Sequence, residues 1–60
     1  MKTHFYIAGL PPTECIKVMD GIILLRKDDG VKINKKGYLV SQSYLDADNN
    51  IFMVYIYPQT

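Results

Sequence analysis

The run Ile51-Phe52-Met53-Val54-Tyr55-Ile56-Tyr57, introduced by Asp46-Ala47-Asp48-Asn49-Asn50, decides how this chain is read. Every residue of the run is apolar or aromatic, whereas a strand with one wet face alternates apolar with polar. The run predicts a strand that is apolar on both faces. A chain of 60 residues has little material with which to cover the second face. Chains of this size bury only about 60% of their unfolded surface.

The Asx-rich run before this strand predicts a hairpin turn, because Asp and Asn side chains bond their own backbone. If Asp46–Ile51 encloses an even-length loop, Leu45, Ser43 and Ser41 share a face with Phe52, Val54 and Ile56. The other face then carries Tyr44, Gln42 and Val40 with Met53, Tyr55 and Tyr57. The first set has the composition of a core lining, joined by Val18 and Ile23. The second is an aromatic, amphipathic surface of the kind that interfaces favour. An odd-length loop would exchange these partners.

Outward from this hairpin, turn signals recur at Pro11-Pro12, Asp20-Gly21, Asp28-Asp29-Gly30 and Asn34-Lys35-Lys36-Gly37. They separate short β-rich segments at Thr3–Leu10, Glu14–Met19, Ile22–Lys27, Val31–Ile33 and Tyr38–Leu45. The pattern predicts a mainly β single domain over residues 1–60. Its form is a small antiparallel meander of five to six strands, closed as a curved sheet or an SH3-like barrel. Residues 13–27 carry two readings. As a hairpin, Asp20-Gly21 is a type I′ turn that sets Val18 opposite Ile23 and Ile16 opposite Leu25. As a helix, Thr13 is the N-cap and Cys15, Val18, Met19, Ile22 and Leu25 form one apolar face. The helix gives an α+β alternative of order β-α-β-β, at the cost of a glycine in its interior.

Composition narrows the function classes. The chain is 48% hydrophobic and 22% charged, as in a folded globular protein. Cys15 is the single cysteine and His4 the single histidine, so an internal disulfide is impossible and a four-ligand structural zinc is not expected. The lone thiol fits a cytoplasmic, reducing location, and no apolar run reaches the length of a membrane span. Regular packing or association remains as the source of stability.

No catalytic signature surrounds Cys15 or His4, and Ser41 and Ser43 lack a nucleophile-elbow context. Cys15 reads as a small buried hydrophobe and His4 as a surface or strand-edge residue. The Asp46-Ala47-Asp48-Asn49-Asn50 run begins like a calcium loop, but Ile51 stands where the glycine belongs and Tyr57 where the glutamate belongs. Neither an enzyme nor a cofactor or metal site is expected.

Charge is uneven. Residues 1–37 hold all seven basic side chains against four acids, while residues 38–60 hold only Asp46 and Asp48. The expected function is a small cytosolic protein-interaction module, a regulator or inhibitor that docks a protein partner or a second copy through Tyr44, Met53, Tyr55 and Tyr57. The small size, the start at Met1 and the lack of catalytic motifs match accessory proteins of phage or mobile elements. The alternative is a nucleic-acid-binding barrel using Arg26, Lys27, Lys32, Lys35 and Lys36 on one rim with Tyr38 as a stacking ring. Asp28 and Asp29 inside that cluster weaken the alternative.

Overall fold

The computed structural model describes residues 1–9 and 15–59. Among them are five strands and no helix: β1 (Lys2–Ile7), β2 (Cys15–Asp20), β3 (Gly30–Ile33), β4 (Lys36–Asp46) and β5 (Ile51–Pro58). They form one sheet of order β2-β1-β5-β4-β3, curled into a half-barrel. The expected mainly-β curved sheet is present. Its antiparallel description needs one correction, because β1 pairs with β5 in parallel while the other three pairings are antiparallel. The doubly apolar strand is therefore the central one, with a neighbour on each side.

Two hairpins build the β3-β4-β5 half. Ile33 pairs with Lys36 across the two-residue turn Asn34-Lys35, whose φ values of 51° and 68° are those of a type I′ turn. Asp46 pairs with Ile51 across the four-residue loop Ala47–Asn50, closed by Asn50 at φ 55°. The loop is of even length, so Leu45 lies opposite Phe52 and Ser43 opposite Val54 as the pattern predicts.

The predicted faces hold only as far as Gln42. A bulge at Ser41 sets Gln42 opposite Tyr55 but Val40 opposite Ile56. One extra residue reverses the alternation, so Val40 turns inward and is fully buried with Phe5, Ile33, Val54 and Ile56. This core differs from the expected one. Leu45 is 51% exposed at the sheet's end, and Val18 is 44% exposed because it lies opposite His4 on the outer face.

Neither reading of residues 13–27 survives within the described part; Thr13 and Glu14 lie outside it. Cys15–Asp20 is a strand, which removes the helix, but it pairs with β1 and not with Ile22–Lys27. A type I′ turn needs two residues at positive φ, and of Asp20-Gly21 only Gly21, at 85°, has it. The chain is therefore redirected instead of folded back. Residues 21–29 then run as a strap from the β2 edge to the β3 edge.

Side chains of the sheet hold this strap over the concave face. Thr3 Oγ1 donates to Gly21 O at 2.7 Å and accepts from Ile23 N at 3.2 Å. Ser43 Oγ donates to Leu25 O at 3.4 Å, and Asp28 N and Val40 N exchange bonds with Val40 O and Asp29 O. Ile23 and Leu25 pack on the core, while Leu24 points away and is 83% exposed.

Thr3 is thus a buried hydroxyl serving two strap groups. Thr3→Val keeps the shape but strands both, and is expected to cost about 2–4 kcal/mol in urea unfolding, with Thr3→Ser retaining most of the stability. Lys35→Gly removes a side chain from the left-handed region and is expected to add roughly 0.5–1 kcal/mol, read as a higher melting temperature.

Candidate functional site

On the outer face the register sets residues into rows across the sheet. One row is Tyr44, Met53, His4 and Val18, running from β4 through β5 and β1 to β2. The next is Gln42, Tyr55, Tyr6 and Cys15. Above them, at the sheet's end, lie Asp46, Ile51, Lys2 and Asp20. Below them Tyr57 pairs with Leu39. The alternation of extended backbone produces this surface, since it turns every second residue of β1 and β5 outward.

Three tyrosines tie the strands together here. The Tyr6 and Tyr55 ring centroids are 5.5 Å apart, and those of Tyr44 and Tyr55 are 5.6 Å apart and stacked at 21°. Tyr44 Oη and Tyr55 Oη share a 3.0 Å hydrogen bond, and Tyr6 Oη lies 3.3 Å from His4 Nδ1. Tyr44 and Tyr55 each cover one face of the other while their bonded hydroxyls lie at the surface, and Tyr6 is buried beside them at 7% exposure. A platform for nucleic-acid bases needs free ring faces. Protein interfaces use Tyr differently, as apolar bulk with a polar tip.

The proposed interface residues are gathered on this one face, with Tyr44 46% and Tyr57 36% exposed and Met53 and Tyr55 half-buried between them. Sequence reasoning missed Tyr6 and His4. The signal for them lay in β1, whose alternation of Thr3, Phe5 and Ile7 with His4 and Tyr6 resembles that of β5.

The basic residues are placed differently. Lys35 occupies the β3-β4 turn, Lys36 begins β4, and Lys32 points outward from β3 opposite Gly37. Arg26 and Lys27 sit at the other end of β3, in a turn where Asp29 N donates to Arg26 O and Arg26 N donates to Asp29 Oδ2 at 2.8 Å. The length of β3, about 13 Å for four residues, separates the two groups. Lys36 Nζ lies 5.7 Å from the Tyr38 ring centroid, so a cation already covers the ring expected to stack.

Cys15 is exposed, contrary to the buried role expected of it, because β2 is an edge strand and its bulge at Ile16 turns Ile16 toward the core instead. His4 lies opposite Val18 while Cys15 lies opposite Tyr6, so they are not direct cross-strand partners. Asp46 serves as the turn's cap: its carboxylate accepts from Asp48 N, Asn49 N and Asn49 Nδ2. Among the described residues no helix is long and apolar enough to cross a membrane. Comparisons with protein-family models, with curated proteins and with solved structures return no match for this chain.

The phenol cluster has a titration signature. The bond to Tyr44, with burial, pushes Tyr55 up to about 12. Burial, then the nearby Cys15, Asp46 and Tyr44 charges, raises Tyr6 as well. A raised phenol contributes stability that is complete below its unfolded value of 10.0 and is lost as pH rises through the folded one. Absorbance titration is expected to show Tyr6 and Tyr55 ionising above the ordinary phenol value of 10.0, and Tyr44→Phe to lower the Tyr55 midpoint.

At the other end of the scale, the Asn49 side chain first, then the Asn49 and Asp48 amides, hold Asp46 below its ordinary 3.8. Its contribution is present above that value and lost as pH falls through the lower folded one. The Asp48 and Asn49 amide resonances are expected to shift together as Asp46 protonates.

Proposed function

We propose that this chain is a small protein-interaction module whose outer face, centred on Tyr44, Met53, Tyr55 and Tyr57, docks a protein. The observation that carries this reading is the Tyr6-Tyr55-Tyr44 ring cluster, stacked between Tyr44 and Tyr55 and bordered by Met53 and Val18. It is an ordered, largely uncharged surface of rings whose tips retain hydrogen-bonding capacity. Tyr and Met are enriched at interface centres, and two-torsion Tyr side chains lose little entropy on docking. A rigid binder without chemistry of its own acts as a regulator or inhibitor by occupying a surface of its partner. The single thiol fits a reducing cytoplasm, and the small size fits an accessory protein of a phage or mobile element.

The test uses the two exposed rings, which take no part in the buried core. Tyr44→Ser with Tyr57→Ser is expected to lower the unfolding free energy read in urea by no more than about 3 kcal/mol, through loss of the Tyr44-Tyr55 contact, and to leave the chain folded. Association is expected to fall at least about tenfold, since aromatic anchors dominate binding energy. Association unchanged in a folded double variant would refute the assignment of this face.

A further inference from the structure

The outer face borders two oppositely charged ends, and one strand connects them. β4 spans Lys36–Asp46, eleven residues, and the molecule measures 34 Å along its longest axis. At the start of β4 lie Lys35 in the turn and the outward-pointing Lys32 on the neighbouring strand, while Lys36, opposite the buried Ile33, stands over Tyr38 on the concave side. Its far end carries Asp46 and Asp48, with Asp20 in the same outer row as Asp46. Lys2 lies in that row too, and Gly21 N donates to Met1 O at the same end. Counting side chains, Asp20, Asp46 and Asp48 against Lys2 leave the far end two charges negative, against two positive charges, Lys32 and Lys35, on the outer side of the near end.

Between the ends, the exposed Tyr44 and Tyr57 flank the Gln42–Tyr55 pair on either side. A surface with apolar bulk in the middle and opposite charges at its ends is complementary to its own inverted copy.

We propose that the partner of this face is a second copy of the chain, packed with the two β4 strands antiparallel. The proposal rests on the docking reading above and adds the occupant and its orientation. A twofold axis running across the outer face, perpendicular to β4 and β5 near Gln42–Tyr55, brings each basic turn onto the partner's acidic turn. It also brings each Tyr44 toward the partner's Tyr57. A twofold axis along the strands would oppose like charges at both ends. Charge therefore selects the antiparallel arrangement, and the arrangement is closed, because both contacts form in one pair. A stable interface takes about 800 Å² from each partner, roughly a fifth of this chain's 4216 Å². The half-barrel would gain in this way the apolar burial that its small core lacks.

The test is sedimentation of the full chain, from micromolar concentrations to about 0.5 mM. Two variants reverse one end each: Lys32→Glu with Lys35→Glu, and Ala47→Lys with Asp48→Lys, the latter leaving the Asp46 cap in place. The wild type is expected to dimerise, more weakly in about 0.5 M salt because exposed charges are screened. Each reversed variant alone opposes like charges at both contacts and is expected to dimerise at least about tenfold more weakly. An equimolar mixture of the two restores attraction at both contacts and is expected to heterodimerise near wild-type strength. The salt series on the wild type tests the charge argument even if a reversed turn fails to fold.

Oligomers that grow beyond the dimer would overturn the closed arrangement. Reversed variants that dimerise like wild type, or a mixture that gains nothing, would overturn the orientation. A monomeric wild type that still captures another protein through Tyr44 and Tyr57 would overturn self-association and leave the docking reading standing. A dimer indifferent to Tyr44→Ser with Tyr57→Ser would overturn both.

Discussion

Because β1 and β5 pair in parallel at the middle of the sheet, β2 and β3 are left at opposite edges, and residues 21–29 must cross the whole sheet to join them. That crossing does for this protein what a second layer does for larger ones. It lays Ile23 and Leu25 over Phe5, Val54 and Val40, and so closes a core that five strands alone would leave open. A strap without a ladder partner still has backbone groups to satisfy. Thr3 and Ser43 supply part of that satisfaction from the sheet, and the exchange between Asp28-Asp29 and Val40 supplies more. The small polar residues of the concave face therefore hold the cover in place.

The outer face has its origin in the same pairing. With β1 beside β5, Tyr6 comes to lie next to Tyr55, and the hairpin adds Tyr44 from the opposite side. Three residues from three strands become one cluster, with Tyr44 stacked on Tyr55 and bonded to its hydroxyl, and Tyr6 tilted against Tyr55 with its hydroxyl on His4. Packing of the rings on one another orders the proposed docking surface in the free chain, which would lower the entropy lost on binding a partner. The same contacts stiffen the sheet, so the cluster serves fold and surface together.

Much of the β3-β4-β5 half was legible because its signals are local. Asn34-Lys35 and the Asx run mark turns by side-chain chemistry, and the even loop set the register of Leu45, Ser43 and Tyr44 correctly. What escaped was the bulge at Ser41. A bulge replaces nothing in the composition of a strand, and its reward, burying Val40 against Ile56, exists only once the sheet has curled. The Asp20-Gly21 reading failed for a related reason. Dipeptides of this kind can fold a chain back or merely bend it. The choice depends on whether β2 pairs with the segment on its N-terminal side or with the one on its C-terminal side.

The sequence by itself determined five of the six strand segments read from it, the two hairpin turns and the doubly apolar character of β5, since propensity, Asx chemistry and side-chain period act within a few residues. It also determined that the two ends of β4 carry opposite charge. The tertiary structure alone decided that β5 is central, that β1 lies parallel to it, and that Ile22–Lys27 is a cover and not a strand. Those outcomes are competitions among distant segments for the same edges and the same apolar face. They are settled by the total burial of the finished half-barrel, to which no local window of residues has access.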